Sequence, residues 1–370
     1  MTPALHLVDL QTGLAHTGLT AHEHIGFELG WDYARYGVVP PAPYDTEVSV
    51  LRHGLAAGQA AVGARVLPAS RYVRQWLQLR LRAWLRGRSV ELIQVTPNYL
   101  QQLEATHCPI TRAPIASDSL QTSDASIDRV RNDAGYAAGN LALMSLRANH
   151  AKAAWGRADA TAFAARVEAE HLAEVGGLNA AEWLRVATLC SFVEPLPHAQ
   201  ASRIPMRVLP PNRLRLFNPV QALQAFVSRQ FLRPGWSQRL SRFETLLPDA
   251  ATRADFKTFF MTLLARVIES GATGAKRGAA TPRWAVEDAW CVPLVQQRWA
   301  RFALQLSPVQ CERLLTRAAA RGLATTVVME VPAHAAVEGW NLAHRGYVAH
   351  VANVSHPARR VAAVQQPLAW

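Results

Sequence analysis

Apolar residues recur every three or four positions along most of the chain, which is the spacing of a helix with one buried face. The clearest case runs from Ser70 to about Arg86. Its apolar face consists of Val73, Trp76, Leu77, Leu81, Trp84 and Leu85. Arginines fall mainly on the other side, where they are either solvated or in contact with a nucleic acid. The pattern predicts that the first hundred residues are mostly helical.

Further helices follow from caps and prolines as well as from spacing. Thr96 followed by Pro97 is typical of an N-cap and a first helical residue, and that helix should end near Glu104. Asp159 is the predicted N-cap of a later helix. The remaining predicted ranges are His22–Tyr36, Asp159–Glu174, Pro219–Phe231, Ala254–Glu269, Glu287–Leu304 and Pro308–Arg321. A glycine-rich linker is expected over 271–278, and strands over 325–329 and 347–351.

Residues 108–152 have a different pattern. Polar and apolar residues alternate over Ser126–Val130, as in a half-buried strand, and turn residues follow. Leu141–Met144 is apolar and suits a second strand, after which Ser145 can cap a helix. The residues therefore predict the order strand, loop, strand, helix. The expected fold class is α+β and predominantly helical, with this small finger as a domain at 106–158. It lies between a helical region at 1–105 and a mostly helical region at 159–370 that has some β structure near its end.

Composition adds a modest indication of the partner. The chain has 370 residues and a formal net charge of +12. A basic balance favours a polyanion, most often nucleic acid. Only three residues are lysines (152, 257 and 276), so nearly all the positive charge is arginine, a bias that genome composition can also produce.

The four cysteines form no C-x-x-C pair, which argues against a zinc ribbon. The first residues do not resemble a secretory signal, and no apolar run is long enough to span a bilayer. A reduced cytosol of bacterial type, and hence a cytoplasmic location, is the expectation.

The segment 108–152 resembles the core of an HNH (ββα-metal, His-Me finger) endonuclease. Four motifs occur in the order of one subgroup: C-P-x-T-x-x-P, S-x-D-R, G-Y-x-x-G-N and A-N-x-x-K. The resemblance covers a small part of the chain, and its specificity comes from the ordered set. It implies a metal-dependent nuclease acting on phosphodiester bonds, with DNA a more probable substrate than RNA.

By this resemblance, Asp128 and Asn149 are the metal ligands. Oxygen ligands suit Mg²⁺ or Mn²⁺ better than Zn²⁺. Asn140 corresponds to the asparagine that orients the loop and the catalytic base. The residues expected near a phosphate backbone are Arg131, Arg147 and Lys152.

The sequence departs from the family at the general base. Most members have histidine directly after the metal-binding aspartate, whereas this chain has Arg129. Arginine stays protonated near neutral pH, so it can clamp a phosphate but cannot accept the proton. His150, beside Asn149 on the helix, and His107, beside the Cys108 turn, are the alternative bases. A surface role suits His150 better, and for His107 the two roles are about even.

Three functions are compatible with these residues. The first is a metal-dependent endonuclease with a relocated base. The second is a catalytically degenerate, HNH-derived protein that binds nucleic acid without cutting it. The third is a helical scaffold or interaction protein that retains the finger as a vestige. The sequence favours them in that order.

Overall fold

The computed structural model describes residues 19–44, 49–116, 124–269, 282–324 and 333–348. Helices dominate this part, and it contains one two-stranded antiparallel sheet, so the expected predominantly helical α+β class is confirmed. The elements are α1 (Ala21–Arg35), α2 (Val50–Val62), α3 (Arg71–Leu85), α4 (Pro97–Gln102), β1 (Ala125–Arg129), β2 (Leu141–Ser145), α5 (Leu146–Lys152), α6 (Arg157–Ala169), α7 (Ala180–Phe192), α8 (His198–Ala201), α9 (Pro219–Gln230), α10 (Trp236–Glu244), α11 (Ala250–Glu269), α12 (Pro282–Ala289), α13 (Pro293–Ala303), α14 (Pro308–Ala320) and α15 (Ala333–Ala336).

The chain folds into two compact units. Unit 1 comprises the described residues up to Gln101, the short segment Asp133–Ala137, and those from Gly339 onward. Unit 2 comprises Gln102–Asn132 and Ala138–Glu338. The finger formed by β1, β2 and α5 lies in unit 2 together with the later helices. The three-region division at 105 and 158 remains a prediction.

In unit 1, α1 and α2 cross at two glycines. A Cβ atom at Gly30 would lie 2.0 Å from the carbonyl oxygen of Leu51, and one at Gly54 would lie 1.9 Å from that of Phe27. Real Cβ atoms do not approach so closely, so only glycine lets the two backbones meet here. Both ends of α3 match the range predicted from Ser70 to about Arg86, because Ser70 is its N-cap and Leu85 is its last residue.

Three separate segments of unit 1 are joined by backbone hydrogen bonds. The amide of Ser89 donates to Gly346 at 3.0 Å, and the amide of Tyr136 donates to Ser89 at 2.9 Å. The amide of Gly135 donates to Trp340 at 2.8 Å. The Asp133–Ala137 segment is thus held by residues that are distant in sequence.

Aromatic side chains form much of the core of unit 2. Helices α11 and α13 pack together, and Phe259 contacts Trp290 and Trp299 at ring-centroid distances of 5.3 and 5.0 Å. All three residues are almost completely buried. The aromatic rings thus hold together the helical body that carries the finger.

Several predicted helix boundaries were wrong. Helix α6 ends at Ala169 and not at Glu174, and α11 begins at Ala250 and not at Ala254. The range Glu287–Leu304 contains two helices, because Pro293 is the first residue of α13 and its ring cannot continue α12. Asp159 is the third residue of α6, where its carboxylate accepts from the Gly156 amide, and the N-cap is Gly156. The predicted linker at 271–278, the strand at 325–329 and residues 349–351 of the last predicted strand lie outside the described residues. No helix among the described ranges has the length and apolar character needed to cross a membrane.

Candidate functional site

The finger has the predicted order of elements. β1 and β2 are antiparallel, with Asp128 opposite Ala142, and Ser145 caps α5 by accepting from the Ala148 amide at 3.3 Å. The polar side of β1 is the buried one: Ser126 and Asp128 are 8 % and 5 % exposed. Because alternate residues of a strand share a face, these two side chains point the same way. The alternation predicted from the sequence is present, and its polar half faces inward.

Helix α5 contacts this buried polar face at two points one turn apart. The Asn149 Nδ2 group donates to Ser126 Oγ at 2.7 Å, and Lys152 Nζ lies 2.8 Å from Asp128 Oδ2. Residues three apart on a helix are neighbours on one face, so Asn149 and Lys152 match two alternate residues of the strand. The A-N-x-x-K and S-x-D-R motifs therefore meet in space.

Lys152 is the centre of the finger. It is fully buried, and its ammonium group is surrounded by three oxygens: Asp128 Oδ2 at 2.8 Å, the Arg129 carbonyl at 3.0 Å and Asn132 Oδ1 at 3.2 Å. The contacts with Arg129 and Asn132 are hydrogen bonds, and the contact with Asp128 is an ion pair. The sequence predicts that Lys152 lies near a phosphate backbone. In the structure its charged end is instead enclosed by the finger.

The Asp128 carboxyl group is equally enclosed. Burial raises its pKa, while the Lys152 ammonium and, to a smaller extent, Arg129 oppose that rise. A buried carboxylate without a cation would be very costly. The ion pair with Lys152 therefore accounts for the presence of a charge at this position.

Cys190 on α7 lies beside the ion pair. Its Sγ atom is 3.8 Å from the Val130 carbonyl oxygen, and its side chain is buried. Burial raises the pKa of this thiol to about 11, with Lys152 and Asp128 both within electrostatic reach. A neutral thiol therefore borders the lysine and carboxylate, and nothing about it suggests a nucleophile.

The turn between the strands is held by Asn140, which is completely buried. Its Oδ1 accepts from the Arg131 amide at 2.8 Å, and its Nδ2 donates to the Arg131 carbonyl at 3.1 Å. The expected loop-orienting role suits this geometry. The Arg129 Nη1 group donates to the Asn132 carbonyl at 3.0 Å, and Asn132 Nδ2 in turn donates to Trp155.

Arg147 is engaged with acidic side chains of unit 2. Its guanidinium group donates to both carboxylate oxygens of Glu182, at 3.3 and 3.1 Å, and to the Gly177 carbonyl at 2.8 Å. Glu174 lies 3.6 Å away. The group predicted to contact a phosphate is thus used to attach the finger helix to α7 and to the loop that precedes α7.

The two alternative bases lie in different surroundings. His150 is exposed on α5, next in sequence to Asn149. His107 shares a hydrogen bond of 3.0 Å with Thr106 Oγ1 and packs edge-on against Trp284, at a centroid distance of 5.4 Å. Neither histidine has a described contact with Asp128. A local packing role fits His107 better than a role as a base.

A divalent metal does not fit these residues as they are arranged. The position beside Asp128 Oδ2 is filled by an ammonium group, and the Asn149 amide faces Ser126. Magnesium would need oxygen ligands at about 2.0–2.1 Å in octahedral geometry. Within the described ranges, no group of three or more His, Cys, Asp or Glu side chains could hold a metal ion. Metal binding at Asp128 would first require the displacement of Lys152.

Three contributors to the site were not anticipated: Ser126, Asn132 and Cys190. Ser126 and Asn132 lie within the quoted motif and its turn, so their polarity was an available signal. Cys190 is distant in sequence and buried, and no local pattern indicates its position.

Scans of the chain against protein-family models, curated proteins and solved structures found no match.

Proposed function

We propose that this chain is a nucleic-acid-binding protein whose ββα finger is held together by the Lys152 ammonium group where the resembled nucleases hold a metal. The observation that carries the proposal is the set of three oxygens around Nζ, at 2.8, 3.0 and 3.2 Å. The ammonium group takes the place of an internal cation. The finger then serves as a rigid shape and not as a hydrolytic centre.

The identity of this cation supports the interpretation. The chain has 39 basic residues, of which three are lysines. A compact ammonium group can point its protons at three oxygens around one centre, whereas the planar guanidinium group of arginine cannot. The buried cation is thus the residue type that this chain rarely uses and that this geometry needs.

The catalytic alternative lacks a base near Asp128. Arg129 stays protonated, and its Nη1 group bonds to a backbone carbonyl. Burial raises the pKa of the Cys190 thiol, and His107 packs against Trp284. In this arrangement, no described side chain beside Asp128 suits proton abstraction from water.

Nucleic acid is the partner that the charge favours. The net charge of +12 derives mainly from arginine, which binds phosphate groups through paired N–H donors. Duplex DNA is the first ligand to test and RNA the second. We expect the affinity to fall steeply with salt and to persist in EDTA, with no requirement for Mg²⁺.

A metal-dependent endonuclease is the second candidate, and one observation favours it. Asp128 and Lys152, and Ser126 and Asn149, form adjacent contacts between the same strand and helix. The two residues that the resemblance implies as ligands therefore lie on facing surfaces of β1 and α5. This function requires a state in which Lys152 has left Asp128.

One pair of assays separates the candidates. Binding of a labelled duplex is measured by fluorescence anisotropy over a salt series, and plasmid and RNA cleavage are measured with Mg²⁺, Mn²⁺ or EDTA. We expect salt-dependent binding and no cleavage. Nicking that needs a divalent ion and disappears in Asp128→Asn would establish the nuclease instead. Lack of both binding and cleavage at moderate salt would overturn both candidates.

A further inference from the structure

A second basic cluster lies in unit 2, around the half-buried thiol of Cys291. Arg207 Nη1 donates to Cys291 Sγ at 3.4 Å. Arg112 bonds to Asp288, three residues before Cys291, and Arg185 bonds to Ile110, two residues before Arg112. Both arginines also act on the thiol electrostatically. The three arginines come from separate segments: the loop before β1, helix α7 and the loop after α8.

The acidic groups at this cluster are committed to other arginines. Arg112 donates to Asp288 at 2.9 and 2.6 Å and to Glu287 at 3.3 Å. Glu287 is almost fully buried and also accepts from Arg283 at 2.9 Å and from a backbone amide at 2.8 Å. Glu182, which also influences Arg185, is paired with Arg147. The three nearby carboxylates are thus paired with arginines other than Arg185 and Arg207.

Arg185 and Arg207 have no carboxylate within ion-pair distance among the described residues. Arg185 Nη1 donates to the Ile110 carbonyl at 2.8 Å, and Arg207 Nη1 donates to a thiol, which is a weak acceptor. Both side chains are half-buried and so open partly to solvent. Each guanidinium group carries five N–H donors, and most of them remain for another acceptor.

Electrostatics indicate that an anion would be stabilised at this position. Burial and the neighbouring Arg112 both lower the pKa of Arg185. Burial raises the pKa of Cys291, so the thiol in the middle stays neutral and does not supply the negative charge. The Nε atom of Arg112 is buried and lacks a hydrogen-bond partner. The carboxylates of Glu287 and Asp288 are paired with Arg112, so the charges of Arg185 and Arg207 are the ones at this cluster without a carboxylate at ion-pair distance among the described residues.

We propose that Arg185 and Arg207 form a phosphate-binding subsite that holds a backbone phosphate of the bound nucleic acid. The subsite rests on the proposed nucleic-acid-binding function and adds a defined anchor to it. Guanidinium groups suit this ligand because two parallel N–H donors match two phosphate oxygens. Ile110 and Arg112 belong to the loop that precedes β1, so the anchor would lie beside the finger.

The test compares the full-length protein with Arg185→Gln/Arg207→Gln. Arg313→Gln/Arg317→Gln, which removes two exposed charges from α14, is the matched control. Anisotropy with labelled duplex DNA over a salt series gives affinity and salt slope. We expect the subsite variant to lose about 10- to 100-fold in affinity and about one unit of salt slope, since the subsite holds one phosphate and each phosphate contact contributes about one unit. The control should lose no more than the general charge effect, about twofold.

A second measurement uses inorganic sulfate as the probe. Thermal unfolding is followed with sulfate and with chloride at matched ionic strength, for the wild type and both variants. Sulfate should raise the melting temperature of the wild type and of the control more than that of the subsite variant. The single variant Arg207→Lys keeps Arg185 and a positive charge at position 207. It should bind DNA more tightly than Arg185→Gln/Arg207→Gln and less tightly than the wild type.

The outcomes separate this inference from the proposed function. If the wild type binds DNA and the subsite variant, folded by its melting curve, binds with equal affinity and slope, the subsite is refuted and the function stands. If the wild type fails to bind DNA but shows the variant-sensitive sulfate effect, nucleic-acid binding is refuted and an anion subsite remains. If the wild type neither binds DNA nor is stabilised by sulfate more than the subsite variant is, both fail.

Discussion

Replacement of Lys152 by methionine tests the central feature of the finger. The change keeps the length and apolar stem of the side chain and removes the ammonium group. Asp128 then remains in a site where its side chain is 6 % exposed, without the cation that lies 2.8 Å away in the wild type. Removal of one partner of a buried ion pair costs about 3–5 kcal/mol. The carbonyl of Arg129 and the amide oxygen of Asn132 also lose a donor, so we expect a value in the upper half of this range.

Thermal unfolding followed by circular dichroism measures this cost. One kcal/mol corresponds to about 2–4 °C for a unit of some 150–250 residues, so the expected fall in melting temperature is about 8–20 °C. Lys152→Arg keeps the charge but changes the shape of the donor, and we expect an intermediate loss from overpacking, about 1–3 kcal/mol. The double variant Asp128→Asn/Lys152→Met should be more stable than the sum of the single changes predicts, because the two groups interact directly.

The dependence on pH gives an independent check. Burial raises the pKa of Asp128, and loss of Lys152 removes the largest opposing influence. A carboxyl group with a raised pKa in the folded protein destabilises that protein when ionised, so stability falls as the pH rises through the folded-state pKa. The loss of unfolding free energy in Lys152→Met, relative to the wild type, should therefore be largest at neutral pH and shrink toward about pH 4. A deficit under about 1 kcal/mol, independent of pH, would refute the reasoning.

Three further predictions concern other parts of unit 2. Asn140→Ala should lower stability by about 2–4 kcal/mol, since two backbone groups of Arg131 lose their partners, and Asn140→Asp should be destabilising as well, because it buries a carboxylate against the Arg131 carbonyl; melting curves equal to wild type would contradict this role. Arg147→Ala should leave DNA affinity within about twofold of wild type while costing about 1–2 kcal/mol, because its guanidinium is held by carboxylates, and a large affinity loss with unchanged stability would argue for a phosphate contact. Iodoacetamide at about pH 8 should label Cys291 first and slowly, since the other three thiols are buried, and mass spectrometry that found Cys190 modified first would disprove the described burial.

Local signals in the sequence were sufficient for several helices. The serine cap at Ser70 and the prolines at 97, 219 and 308 mark starts that the structure has. The single long helix expected over Glu287–Leu304 failed because apolar spacing continues across Pro293, although the ring stops one helix and begins another. Apolar spacing alone does not reveal a break, whereas the proline does.

The order of the secondary-structure elements at the site was predictable from the sequence, but the orientation of the side chains was not. Strand, turn, strand and helix follow from residues 126–152, and the motifs do meet. However, the inward orientation of the Ser126 and Asp128 side chains depends on the residues that face them. One of those residues is a lysine, a type most often found at the surface. Burial of Lys152 requires oxygens from three separate positions at once, and the capture of Arg147 requires Glu182, 35 residues away. Contacts of this kind are set by the tertiary structure, and a local pattern does not contain them.

The hydrogen bond from Ser89 Oγ to the Gly346 carbonyl, which spans 257 residues, has a consequence for synthesis on the ribosome. At about 5–20 residues per second, roughly 13–50 s pass between translation of the two partners. Unit 1 therefore emerges first but is completed last, after the whole of unit 2 has been translated. During that interval the Ser89 amide and hydroxyl lack the Gly346 carbonyl that accepts from both in the folded chain, and they must be solvated until it is made.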